Sequence, residues 1–289
     1  MSFCYDVKNE VCSKKLGKHC CEHAELLGML LFARRFGREG CTFQTEHIDV
    51  CERFERLSRH CLKYEPTVSV SRGHLFSAEL PAEACAKIAD KFGLQGGVIP
   101  QAAVEKDCCS AAFVRGAFLS AGSLVDPNKY YHLEFVCEKG ALARQLYALM
   151  MSLHFAPKIS DRDNSTVIYF KESEQIEDIL TYVGAVNSSL ELMNVKVIKD
   201  VRNQVNRKAN FEDANYFKTY TAANRQCEAI EKLRAAGALS GLSGGLQTAA
   251  SARMERPDAT LAELAEDCGC SRSGLNHRLN KLIELAEQL

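Results

Sequence analysis

The chain has 289 residues, 46% of them apolar and 25% charged, which allows two or three domains and a core that needs no covalent staples. A formal charge of -1 excludes a global nucleic-acid footprint, so any affinity for DNA must come from a local cluster of basic residues. No apolar run reaches the ~18 residues of a membrane span.

The opening stretch MSFCYDVKNEVCSKK has no apolar run of signal length, and residues 1–20 read as a lead-in. A cytoplasmic chain with reduced thiols is expected. Fourteen cysteines raise the question of a metal. Zinc wants paired ligands such as C-x-x-C twice over, and Cys20-Cys21, Cys108-Cys109 and Cys268-x-Cys270 supply no matching second pair by spacing. The expectation is no metal and no cofactor, with the cysteines acting as small buried hydrophobes.

An internal repeat fills residues 21–195. EHAELLGMLLFARRF, Glu22 to Phe36, is apolar on nearly every face and suits a buried helix, and AAFVRGAFLSAG, Ala111 to Gly122, has the same texture. Setting Gly28 over Gly116 gives an offset of 88 residues. After the first helix come a strand-like CTFQTE, a helix DVCERFERLSRHCLKY, extended TVSVS and HLFSAEL, and a helix opened by Pro81. After the second come GSLVD and YYHLEFVC, a helix KGALARQLYALMMSLHF, extended PKISDR and STVIYF, and a helix ESEQIEDILTYVG.

Each half, 21–105 and 106–195, is therefore expected to be αββαββα, and the two are expected to join their sheets into one saddle. The small-residue helices would lie side by side on a pseudo-twofold axis, where close approach demands small residues, and Gly28, Gly116 and Ala117 suit that place. A monomer follows, because the duplication already supplies the twofold.

Residues 196–210 read as a basic linker, with Lys196, Lys199, Arg202, Arg207 and Lys208 against Asp200 alone. The asparagines beyond them either reach phosphates or the minor groove, or cap a helix from Phe211 to Ala236. GALSGLSGG, Gly237 to Gly245, reads as a flexible hinge before a helix Leu246 to Arg256.

The tail, about 258–289 within a helical domain 211–289, has the spacing of a helix-turn-helix. A first helix runs from Leu261 to about Asp267, and a second starts at Ser271 or Arg272. Ala265 is the small residue where helices cross, Gly269 makes the turn four positions later, and Leu275, six further on, anchors the second helix with Leu279. From Ser271 to Lys281 there are three fixed positive charges, Arg272, Arg278 and Lys281, and no acid. Ser271, Arg272, Ser273, Asn276 and His277 are the candidates for base edges in the major groove, with Arg278 and Lys281 mainly on phosphates and Arg202, Arg207 and Lys208 as an additional DNA arm.

The duplicated half and VRGAFLSAG, Val114 to Gly122, resemble the LAGLIDADG homing-endonuclease fold. In active members of that fold an acid near the end of each central helix holds the metal that activates water. The resemblance places Ala33 and Ala121 there, which implies a scaffold without catalytic residues unless Asp126 or Glu25 substitutes.

More specifically, VRGAFLSAGSLVDPNKYYHLEF, NRKANFEDANYFKTYTAANRQCEAIEKL and SRSGLNHRLNKL resemble the WhiA family of bacterial sporulation and cell-division regulators. That resemblance implies an α+β fold, a duplicated LAGLIDADG-like saddle followed by an all-α helix-turn-helix domain. It also implies transcription regulation tied to cell division, chromosome segregation or sporulation, with double-stranded DNA and a second regulatory protein as partners in the nucleoid. The alternatives are a residual metal-dependent endonuclease and a protein-partner module tethered to DNA.

Overall fold

A computed structural model of the chain describes residues 2–71, 73–94, 98–138 and 140–289. They form two units, residues 1–199 and 200–289, each with its own apolar core.

The first unit opens with α1 (Phe3–Ser13), begun by Ser2, whose hydroxyl accepts the Tyr5 N–H. The lead-in is thus largely a packed helix with Val7, Val11 and Cys12 buried. A stripe this short, interrupted by Lys8, has too little periodicity to be read from sequence. Lys8 is itself buried: its Nζ donates to the Leu119 carbonyl at 3.4 Å, and burial pulls its pKa below the usual lysine value.

The first copy follows as α2 (His19–Leu31), β1 (Arg35–Gly37), β2 (Gly40–Thr45), α3 (Ile48–Leu62), β3 (Thr67–Ser71), β4 (Leu75–Pro81) and α4 (Ala82–Phe92). After a short α5 (Gln101–Val104) the second copy runs α6 (Asp107–Ala121), β5 (Gly122–Leu124), β6 (Leu133–Cys137), α7 (Gly140–Ser152), β7 (Lys158–Arg162), β8 (Ser165–Phe170) and α8 (Ser173–Val183). Both copies have the αββαββα order. The expected start of α7 at Lys139 lies outside the described residues.

Two details differ from the sequence reading. The helix expected to reach Phe36 stops at Leu31, because Arg35 to Gly37 pair antiparallel with Thr42 to Gly40 instead. The strands also form two antiparallel sheets, ordered β1-β2-β4-β3 and β5-β6-β8-β7, rather than one joined sheet. The strands that directly follow the central helices, β1 and β5, are only three residues long, and each pairs within its own copy.

The centre of the unit is the α2–α6 pair. A Cβ added at Gly28 would strike the Phe113 carbonyl oxygen, and one at Gly116 the Glu25 carbonyl oxygen, both well under 3.0 Å. Only glycine allows the backbones this close. Ser120 seals the far end by donating to the Met29 carbonyl at 2.8 Å.

Among these buried apolar residues sits the carboxylate of Glu25, which accepts from Arg53 Nε at 2.8 Å and from Arg115 Nη1 at 3.0 Å. The same packing overturns one expectation from spacing. Cys20-Cys21 and Cys108-Cys109, unmatched along the chain, converge at the N-terminal ends of α2 and α6.

The boundary between the units falls inside α9 (Val186–Ala235), a single helix of 50 residues. Residues 196–210 are therefore helical rather than a separate linker, and the helix expected from Phe211 begins at Val186. No glycine or proline occurs between Gly184 and Gly237, so nothing in that stretch interrupts the helix. Arg202, Arg207 and Lys208 are exposed on this continuous element, whereas Lys196 and Lys199 are half-buried, Lys196 pairing with Glu174 and Lys199 donating to the Pro127 carbonyl. The second unit continues through a tight 3-10 turn, Leu239–Gly241, into α10 (Gly244–Glu255), α11 (Leu261–Asp267) and α12 (Arg272–Glu287). Leu239, Leu242 and Leu246 pack on the core, so the glycine-rich stretch is anchored rather than a free hinge.

Candidate nucleic-acid interface

The end of the chain builds its helix pair from short-range chemistry. Thr260 and Glu263 form a capping box: Thr260 N–H donates to Glu263 Oε2 at 2.7 Å, and Glu263 N–H donates to the Thr260 hydroxyl at 3.3 Å. Those bonds hold the Glu263 carboxyl below its usual pKa. Gly269 then takes a left-handed φ of 59°, and Ser271 caps α12 by accepting the Gly274 N–H at 3.1 Å. Leu264, Ala265, Leu275, Leu279 and Leu282 close the core beneath, with Ile230 and Leu233 of α9. Ala265 is buried, and Leu275 and Leu279 are fully so.

A residue with no sequence signal holds this element in place. Arg253 of α10 is 1% exposed and donates to Gln226 Oε1 at 2.9 Å and to the carbonyls of Pro257 and Ala259 at 3.2 and 2.7 Å. It thereby fixes the segment that leads into α11. Burial pulls its pKa down, and no carboxylate accepts a hydrogen bond from it among the described residues. An arginine in a mostly polar helix reads as a surface cation until the fold closes over it.

Ser271, Arg272, Ser273, Asn276 and His277 are all exposed around the first turns of α12, and no acid lies in its first turn. The helix N-terminus adds its partial positive charge to Arg272 there. Arg278 is half-buried, with its guanidinium lying where a Cβ on Gly245 would touch it at 3.4 Å. Lys281 is exposed and pairs with Glu284 at 3.0 Å.

Arg202, Arg207 and Lys208 are exposed on α9, but the fold does not gather them into the reader. α9 reaches α12 at Arg225, whose guanidinium pairs with Glu287 at 2.8 Å. Lys208 lies about 25 Å earlier along the helix axis. Phe211, Tyr216, Phe217 and Tyr220 are exposed in between.

In the first unit Ala33 and Ala121 line one hollow of about 360 Å³ with Arg34, Gln44, Ser120 and Glu138. Glu138 is the only carboxylate among the described lining residues. The two neighbouring acids are committed elsewhere. Glu25 is bound by two arginines, and Asp126 accepts the Asn128 N–H at 2.8 Å, which keeps its pKa low. One carboxylate is a poor cage for a hard divalent ion, which takes several oxygen ligands.

Comparison with known proteins agrees with both units. Residues 110–202 match the model of the WhiA LAGLIDADG-like domain, and residues 205–286 match that of the WhiA C-terminal HTH domain. A protein of Ruminiclostridium cellulolyticum named Probable cell division protein WhiA is 36% identical, with 100% of this chain and 98% of that protein aligned. A protein of the same name from Desulfitobacterium hafniense is 35% identical, over 100% of this chain and 96% of its own length. The crystal structure of full-length DUF199/WhiA from Thermatoga maritima shares the fold at a TM-score of 0.62 and 23% identity, covering 100% of this chain and 99% of that one.

Proposed function

The chain belongs to the WhiA family, and from that premise we propose that it is a sequence-specific double-stranded DNA-binding regulator of transcription. The observation that carries this reading is the first turn of α12, where Ser271, Arg272, Ser273, Asn276 and His277 stand exposed on a helix end that has no acid and is rigidly seated by Leu275 and Leu279. Such an end enters a major groove, with side-chain amides and hydroxyls on base edges and the helix terminus and arginines on phosphates. Lys281 and the more restrained Arg278 serve the backbone, and Arg202, Arg207 and Lys208 add phosphate contacts from α9.

The relatives' names supply the process, cell division, and the reading extends to chromosome segregation and sporulation. The protein acts as a monomer in the cytoplasm, on the nucleoid, and its first unit offers a surface to a second regulatory protein. The hollow at Ala33 and Ala121 is catalytically silent, since both places where the scaffold's relatives carry a metal ligand are methyl groups.

Selection of the full chain on random duplex DNA tests this. One enriched motif supports the reading, and recovery of unrelated sequences with equal affinity sinks it. Incubation with Mg²⁺ and supercoiled plasmid tests the silent hollow: nicked or linear product would restore the endonuclease reading.

A further inference from the structure

The two cysteine pairs that the chain keeps far apart meet at one place. Cys20 and Cys21 are the second and third residues of α2, and Cys108 and Cys109 the second and third of α6. Their sulfurs lie 3.9 Å apart within the first pair and 4.0 Å within the second, and all four lie within 4.8 Å of one another. A tetrahedral ion with metal–sulfur bonds of about 2.3 Å sets its ligands about 3.8 Å apart. The cluster is a modest contraction away from that geometry. A multi-iron cluster, with each thiolate on a different iron, would hold the sulfurs farther apart.

The pairing follows the duplication. The offset of 88 residues that sets Gly28 over Gly116 also carries Lys18, Cys20 and Cys21 onto Lys106, Cys108 and Cys109. Each copy thus contributes a Lys-x-Cys-Cys to the start of its central helix. Lys18 and Lys106 are the N-cap residues, and neither helix has a side-chain cap, so first-turn N–H groups are left for an anionic partner.

Other cysteines behave differently. Cys12, Cys85 and Cys137 are buried in the apolar core, whereas Cys108 is exposed and Cys20 and Cys21 are half-buried, which leaves a way in from solvent. The adjacent imidazoles of His19 and His23 lie against one another, ring centroids 4.3 Å apart and planes tilted by 51°.

We propose that Cys20, Cys21, Cys108 and Cys109 form a tetrathiolate site for a single zinc-class divalent cation, which ties together the starts of the two central helices. Binding would release four thiol protons and leave a complex of net charge -2 facing two helix N-termini; no electron is transferred. The site is separate from the hollow at Ala33 and Ala121. That hollow lies at the opposite ends of the same helices, about 20 Å away for a helix of this length. It stands whether or not the second unit reads DNA.

The test uses the full chain, reduced, stripped with a chelator and titrated anaerobically with Co²⁺ alone. One equivalent should bring up the visible bands of tetrahedral cobalt and a thiolate charge-transfer band. Zn²⁺ should then bleach them, and the metal should raise the melting temperature. C108S, at an exposed position, and C20S should lose the bands while keeping the helical dichroism of the parent, and C12S and C85S should keep them. Absence of the bands, their survival in C108S, an iron chromophore in the purified protein, or two disulfides in place of four reactive thiols would each overturn the proposal.

Discussion

Gly28 and Gly116 oppose each other across the α2–α6 seam so closely that a Cβ on Gly28 would lie 3.2 Å from the Gly116 Cα. Because the nearest obstacles are backbone atoms, neither helix can yield by turning a side chain. Gly116→Ala and Gly28→Ala are each expected to cost about 3 kcal/mol or more, at the upper end of overpacking. Gly37→Ala should be close to neutral, since its added Cβ meets nothing within 4 Å. Urea denaturation of the three variants checks this, and equal midpoints would refute the close seam.

Removing the charge of Glu25 should be as damaging. Its side chain is 3% exposed and Arg53's 1%, so Glu25→Gln leaves the buried Arg53 and the partly buried Arg115 without the charge they share. Loss of one partner from a buried ion pair costs about 3–5 kcal/mol. The second unit has its own core, so its share of the helical signal should outlast the first in the variant's thermal unfolding.

In the reader, contact and packing should separate. Arg272→Ala and Asn276→Ala are expected to weaken binding to a preferred sequence by about 1–3 kcal/mol each with the melting temperature unchanged. Leu275→Ala, at a fully buried position, should instead destabilise the fold by about 2–5 kcal/mol. Fluorescence anisotropy on specific and random duplexes, beside calorimetry, tells the two apart. Equal loss on both duplexes for Arg272→Ala would reduce it to a phosphate contact.

The buried thiols predict alkaline sensitivity. Burial pushes Cys12 and Cys137 from 9.0 up to about 12, so above pH 9 the unfolded chain loses protons that the folded chain keeps. Stability from these groups is complete below pH 9 and falls as pH rises towards 12. The limiting slope is about 1.4 kcal/mol per pH unit for each thiol.

Lys8 acts in the opposite sense, since its lowered pKa lets the folded chain shed a proton before the unfolded chain does, below 10.5. Denaturant midpoints under reducing conditions between pH ~8 and ~10.5 should therefore fall less steeply in Cys12→Ala and more steeply in Lys8→Met than in the parent. Parallel curves for all three would show that these groups are solvated.

The helix pair at the end of the chain was legible because its determinants are local. Thr260 and Glu263, Gly269, and Leu275 with Leu279 act within a few residues of one another, so composition and spacing specify the cap, the turn and the anchors. The duplicated αββαββα order was legible for a related reason: each element carries its own periodicity and punctuation. Ala33 and Ala121 could be placed by likeness to a motif, but only the fold shows that they share one hollow with a single acid.

What the sequence by itself determined, then, was the repeat, most of its elements, and the residues standing at the start of α12. Tertiary structure alone decided that Arg253 is an interior anchor, that α1 is core, and that four cysteines meet. The physical reason is separation along the chain. A cap or a turn is settled by neighbours a few positions away, whereas the partner of Cys20 is a residue 88 positions on. It arrives only because glycines in two distant helices let their backbones touch.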